Sequence, residues 1–264
     1  MLCLKDLCVL VSCGLLLIVQ LSHGSEIIGG KQVKKHSLPF MALLIAEEPV
    51  CGGILIDPKW VLTAAHCDEI KKVLLGVHAI GKAEKHSRQV RKVKTCFPHP
   101  GFDNNTKVND LMLLELQTPV RKTKSVEWLK LGETVKDPAA GKHCLVAGWG
   151  EMKKKKMSAV KVTVIDRVAC NSDKHYNGNP VITSDMICAG STGKKKAGTC
   201  KGGSGGPILC DRKLVGVTSF GGEVEKTGGV KVLKCGDKKK VGVYSFLSKN
   251  HLKWINKTMG MSEI

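Results

Sequence analysis

Residues 202–207 read GGSGGP. One serine stands between two pairs of glycines. Small residues on both sides make a tight turn. In such a turn a bare backbone lets a substrate and N–H groups approach the serine side chain. Working outward, the turn sits among short apolar runs: CLVAGWG at 144–150 and VKVTVID at 160–166 before it, KLVGVTSF at 213–220 and VGVYSFL at 241–247 after it. The first half repeats the style with PFMALLIA at 39–46, GGILI at 52–56 and LMLLEL at 111–116. Clusters of Gly, Pro, Asn and Lys separate these runs. Many short strands with frequent turns predict an all-β protein, a sandwich or a barrel. A late helix is predicted over 245–259, where Leu247, His251, Leu252, Trp254 and Ile255 recur at roughly helical spacing.

The 264 residues carry 42 Lys+Arg against 23 Asp+Glu, a net charge of +19. That excess favours acidic partners such as sulfated glycans, nucleic acid, anionic membranes or acidic protein surfaces, and says little about fold. Lysine runs at 153–156, 194–196 and 238–240 concentrate part of it on three loops. Asn104 and Asn256 head N-glycosylation sequons. Lys5 precedes the apolar run LCVLVSCGLLLIVQL at 7–21, too short and wrongly flanked for a membrane span. Residues 1–24 therefore read as a signal peptide, and the mature protein as soluble, secreted or stored in a secretory granule. Nine of the 12 cysteines follow that segment, an odd number. In an exported chain most of them pair as disulfides and at least one is left over. With no C-x-x-C pair and no H-E-x-x-H, neither a metal site nor a cofactor is predicted.

Three residues combine into a chemistry that none of them indicates alone. His66 lies in TAAHC at 63–67, Asp110 opens an apolar run, and Ser204 sits in the glycine turn. A serine hydroxyl is a poor nucleophile at neutral pH. It needs a histidine to take its proton, and the histidine needs a carboxylate to fix its tautomer and stabilise its positive charge. The chain order His, Asp, Ser is one of the known orders for such a triad.

IIGG at 27–30, WVLTAAHC at 60–67, DLMLLEL at 110–116, VAGWG at 146–150, MICAG at 186–190 and GGSGGP together resemble the chymotrypsin/trypsin family of serine proteases. The resemblance covers about 27–258. VIDRVACN at 164–171, HYNGNPVIT at 175–183, GVTSFG at 216–221 and LSKNHLKWI at 247–255 are similar to the granzymes, A and K in particular. The family implies two antiparallel six-stranded β-barrels, an active site between them and a C-terminal helix. It implies His66 as general base, Asp110 as its orienting carboxylate and Ser204 as nucleophile. The N–H groups of Gly202 and Ser204 would form the oxyanion hole. Gly198, Ser219, Phe220, Gly221 and Gly242 would line the substrate pocket and groove. The implied disulfides are Cys51–Cys67, Cys144–Cys210, Cys170–Cys188 and Cys200–Cys235, which leaves Cys96 alone in KTCFPHPGFD, a stretch expected to lead away from a strand. Residues 25–26 become an activation dipeptide whose removal frees Ile27, and 27–264 the protease domain.

The chain departs from the family pattern at two decisive positions. The family places an aspartate just before the serine, where it pairs with the freed terminal amine and orders the oxyanion hole. Here that residue is Gly203. Members that cleave after Arg or Lys place another aspartate six residues before the serine, and here that residue is Gly198. Residues 222–234 resemble an insertion at the lip of the pocket. Two functions follow. One is a granzyme-like serine endopeptidase impaired at Gly203 and Gly198. The other is a weak or inactive protease homologue that binds acidic glycans such as heparin, or anionic surfaces, through its charge. A disulfide-linked homodimer through Cys96 is a further expectation.

Overall fold

The computed structural model describes residues 27–28, 30–149, 156–191, 198–199, 203–221, 223–227, 230–234 and 241–261. Two very short strands, β1 (Ile27–Ile28) and β2 (Lys31–Gln32), precede a first set of six: β3 (Met41–Ile45), β4 (Pro49–Asp57), β5 (Trp60–Thr63), β6 (Lys72–Leu75), β7 (Gln89–Pro98) and β8 (Met112–Leu116). These close into an antiparallel barrel in the order β3-β4-β5-β8-β7-β6. The second half contains β9 (His143–Trp149), β10 (Met157–Ile165), the short helix α1 (Arg167–Asn171), β11 (Met186–Gly190), β12 (Gly198–Thr199), β13 (Pro207–Cys210) and β14 (Lys213–Phe220). It ends with β15 (Glu223–Thr227), β16 (Val230–Lys234), β17 (Gly242–Phe246) and the helix α2 (Lys249–Thr258). The order β11-β17-β14-β13-β9-β10 closes on itself through the β10–β11 pairing, giving a second six-stranded barrel with β2 on the outer edge of β10.

Barrel closure removes the free sheet edges that such short strands would otherwise expose. It also sets which residues face inward. Along β7 burial alternates strictly between half-buried and exposed positions, the period-2 signature of a sheet with one wet face. β8 is instead buried almost throughout, with Met112, Leu113, Leu114 and Leu116 in the first core. Leu55, Leu62, Val61 and Leu75 complete the centre of that barrel. Val146, Val162, Ile187, Ile208 and Tyr244 form the corresponding centre of the second.

The predicted runs become β3, β4, β8, β9, β10, β14 and β17, and the predicted helix becomes α2, shortened to Lys249–Thr258. Its start is fixed by Ser248, whose side chain accepts the His251 N–H as an N-cap. Three implied disulfides are present: Cys51–Cys67, Cys144–Cys210 and Cys170–Cys188. Cys200 and Cys235 lie outside the described residues, as do 1–26, Gly202 and most of the three lysine runs. One expectation needs correction. Cys96 does not lead away from a strand but lies inside β7, opposite Leu114 of β8. The extended backbone there is fixed by barrel closure, which overrides the turn signal of the Pro and Gly that follow. Within the 222–234 stretch, β15 and β16 pair antiparallel from Glu223↔Lys234 to Thr227↔Val230.

Candidate active site

His66 follows β5, Asp110 precedes β8, and these two strands are neighbours paired from Trp60↔Glu115 to Thr63↔Met112. The pairing carries both side chains to the same end of the first barrel. His66 Nδ1 lies 2.7 Å from Asp110 Oδ2, and the His66 backbone N–H donates to Oδ1 at 3.0 Å. The Ser219 hydroxyl donates to Oδ2 as well, from β14 of the second barrel. Asp110 is wholly buried. Burial pushes its carboxyl up, but the His66 hydrogen bond and charge, the Ser219 hydroxyl and the His66 N–H together outweigh it. The carboxyl is held below the ordinary aspartate range. Such a carboxylate stays ionised while hydrogen-bonded to an imidazole, as a residue that orients a histidine must.

The backbone around Asp110 is pinned from both sides. Ser245 Oγ donates to its carbonyl at 3.1 Å from β17. Asn109, just before it, sits at φ 53°, in the left-handed region that asparagine tolerates better than most residues. The Asn109 side-chain amide donates to Gly101 O at 2.9 Å, and its oxygen lies 3.0 Å from Nε2 of His251 on α2. The C-terminal helix thereby anchors the turn that aims the carboxylate.

Ser204 is buried to 9 % exposure in the turn between β12 and β13. Its carbonyl accepts the Gly52 N–H at 2.9 Å, a bond that crosses from the second barrel to β4 of the first. Cys51, beside Gly52, is disulfide-bonded to Cys67, beside His66. The serine turn and the histidine segment are therefore tied to the same strand. Within the turn, Gly206 N–H donates to Gly203 O at 3.0 Å and Gly205 N–H to Thr218 O at 2.8 Å. Gly205 has φ +76°, and a Cβ there would lie 2.2 Å from both Gly52 O and Thr63 Oγ1. Glycine is required at this position by conformation and by space.

Of the implied pocket residues, Ser219 and Phe220 lie at the end of β14, Gly221 directly follows it, and Gly242 opens β17. Gly221 and Gly242 pack backbone to backbone, with a Cβ on Gly221 falling 3.0 Å from Gly242 Cα. Phe220 stacks edge-on against Tyr176 at 5.6 Å between ring centroids, and the Tyr176 hydroxyl donates to Val241 O at 2.5 Å. Gly198 lies in β12, whose partner is β1: Ile28 pairs with Gly198 and Ile27 with Thr199. Hydrogen bonds thus join His66, Asp110 and Ser219, and Gly202 lies outside the described residues. The sequence did not reveal that the Ser219 side chain serves Asp110, nor the parts played by Ser245, Gly52 and Asn109. Each depends on tertiary register, and only the GG pair at 52–53 hinted at a close backbone approach.

The trypsin family pattern matches residues 27–255. Bovine (Bos taurus) granzyme A is 43% identical over 242 residues, covering 88% of each chain. Mouse (Mus musculus) granzyme B(G,H) is 38% identical over 94% of this chain and 99% of its own. The chain belongs to the trypsin family of serine proteases. Among solved structures, neuropsin, a serine protease expressed in the limbic system of mouse brain, superposes with a TM-score of 0.73 at 32% identity, over 88% of this chain and 99% of that one. Granzymes and kallikreins in the trypsin family are secreted or granule proteins, and among the described residues no helix is long and apolar enough to cross a membrane. Like its trypsin-family relatives, this protein acts on protein substrates as a serine endopeptidase.

Proposed function

We propose that Ser204 is the nucleophile, His66 its general base and Asp110 the carboxylate that orients His66. The observation that carries this is the buried carboxylate bonded to His66 Nδ1 at 2.7 Å, which leaves Nε2 as the ring nitrogen free to serve the hydroxyl. The N–H groups of Ser204 and Gly202 receive the developing oxyanion. Turnover is weak, because Gly203 offers no carboxylate to the Ile27 amine after residues 1–24 and then 25–26 are removed. A buried ammonium without its partner costs several kcal/mol. In the uncut chain Ile27 and Ile28 are held by main chain beside Thr199 and Gly198. With glycine at 198, guanidinium and ammonium side chains gain no charge-assisted bond at the pocket base, so basic residues lose their advantage at the cleaved bond.

The test is intact mass of the Ile27-starting protein after treatment with a serine-directed phosphonate. One adduct, absent in Ser204→Ala, is the expected result. No adduct at any phosphonate concentration contradicts the assignment.

The charge of +19 favours a second property, binding to acidic glycans such as heparin. Replacing Lys153–Lys156 and Lys194–Lys196 by Ser should lower the elution salt on a heparin column, and unchanged elution would remove those runs from the site. Covalent dimerisation through Cys96 has a mixed basis. The residue is exposed, but burial against its neighbours raises its thiol pKa, which reduces the thiolate available for exchange. A dimer band on a non-reducing gel that vanishes in Cys96→Ser supports the link, and a wild-type monomer band rules it out.

A further inference from the structure

A cleft that shares no residue with the candidate active site runs between the crossover joining the two barrels and the β13–β14 hairpin. Its volume is about 670 Å³, within the usual range of roughly 300–1,000 Å³ for ligand pockets. The walls include Leu129, Leu131 and Val135 from the crossover and Leu214 and Val215 from β14. The three crossover side chains are half-buried, packed on the cores yet still presenting apolar surface.

The rim is basic. Lys130, Lys136, Arg212 and Lys213 are all exposed, and none has a carboxylate partner among the described residues. The two acids in the lining are already engaged. Asp211 pairs with Lys142 at 2.7 Å, and Asp137 takes both terminal nitrogens of Arg167 at 2.8 and 2.9 Å. The cleft therefore faces solvent with an uncompensated positive edge over an apolar floor.

Arg212 and Lys213 are presented rigidly. Cys210 and Lys213 pair across a two-residue turn in which Asp211 and Arg212 have φ 49° and 63°. Two non-glycine residues in the left-handed region cost free energy unless something holds them there. The Cys144–Cys210 disulfide ties the base of this hairpin to β9.

We propose that this cleft docks an acidic segment of a protein partner that carries one or two large apolar side chains, and that it tethers protein substrates away from the bond being cut. The tethering rests on the protease reading of Ser204, whereas the docking does not. A sulfated glycan would satisfy the basic rim and leave the apolar floor in water. An acidic segment with leucine-like anchors uses both. Desolvated apolar anchors at the centre with charges at the edge are the usual anatomy of a peptide-binding surface.

The test uses fluorescence anisotropy with Ser204→Ala protein, so that no chemistry is required. The probe is a labelled dodecapeptide of Asp and Glu with two Leu, beside the same peptide with Ser in place of Leu. The Leu peptide should bind at least about tenfold tighter than the Ser peptide, and binding should weaken with salt. The double variant Arg212→Glu/Lys213→Glu should weaken the Leu peptide by at least about tenfold, and Lys130→Gln/Lys136→Gln should weaken it without altering the hairpin. Equal binding of the two peptides, no binding, or binding unchanged in both variants would overturn docking. So would loss of heparin binding in these variants with no effect on the peptide, which would make the cleft a glycan site. In the active protein, a substrate extended by the Leu peptide should show a kcat/KM at least about tenfold above the unextended one. Equal values would overturn the tether. Unchanged hydrolysis of a small thioester in the hairpin variant separates loss of docking from loss of catalysis.

Discussion

The Asp110 site and the Ser204 turn are held by different kinds of bond. At Asp110, side chains supply the order: a histidine and a serine bond the carboxylate, and an asparagine fixed by His251 sets the preceding turn. At Ser204, the described bonds are all main chain: Gly52 to Ser204, Gly206 to Gly203, Gly205 to Thr218. The charged side chain that the family pattern places in this turn is replaced by glycine at 203. The Asp110 half of the site is thus built by electrostatics, and the Ser204 half by packing and main-chain hydrogen bonds. A charged anchor resists disorder through the high cost of leaving it unpaired. A glycine turn resists it only through close packing and backbone hydrogen bonds.

Substitutions can break this contrast. The largest effect is expected from Asp110→Asn, which keeps the shape but presents an amide to His66 Nδ1 and favours the wrong tautomer. Turnover of a small thioester should fall by about 10⁴-fold while the unfolding midpoint moves little. A fall below about tenfold would mean that Asp110 is only structural. Gly205→Ala should act the opposite way, through packing. A Cβ 2.2 Å from Gly52 O and Thr63 Oγ1 must push the barrels apart locally, costing at least about 2 kcal/mol, read as a lower melting temperature in calorimetry. An unchanged midpoint would show that the turn is loose.

The contrast also explains what could be read from the chain alone. The seven apolar runs became strands because each alternates or fills a buried barrel face. His66, Asp110 and Ser204 stood out as candidates because a serine nucleophile needs a histidine and a carboxylate, and His, Asp, Ser is one of the orders in which the three occur. Strands β6 and β7 were missed, since KKVLL and QVRKVKTC mix charge into a half-buried face that periodicity shows only weakly. The service of Ser219 to Asp110 was missed for another reason. A residue 109 positions away reaches the carboxylate only after both barrels have closed and docked. Long-range side-chain partners leave no local signal, whereas patterning and turn chemistry do.

A smaller effect is expected at the seam between the N-terminal segment and the barrels. His78 is buried, its Nε2 lies 3.0 Å from the amide nitrogen of Gln32, and its backbone N–H donates to Glu84 at 2.7 Å. Burial, outweighing the Glu84 charge, holds the ring below the ordinary histidine range. The folded state therefore binds a proton less readily than the unfolded chain. Stability is full above the unfolded value of about 6.5 and declines as pH falls through the window down to the lower folded value. His78→Gln should flatten that decline by about 1 kcal/mol or less between about pH 7.5 and about pH 5.5, measured as denaturant midpoints. An identical decline in the variant would assign it to other groups, such as His36 or His99, which burial also holds low.

The central claim is that Ser204 is a nucleophile whose turn lacks only its charged anchor. It is tested most directly by the second-order rate constant for phosphonate modification of Ser204, compared between the Ile27-starting protein and its Gly203→Asp variant. A carboxylate at 203 offers the Ile27 amine its partner and orders the oxyanion donors, so the variant should react about ten- to a thousandfold faster. Equal rates in two folded proteins would contradict the account, because the ordering of this turn would then owe nothing to the charge that glycine removed.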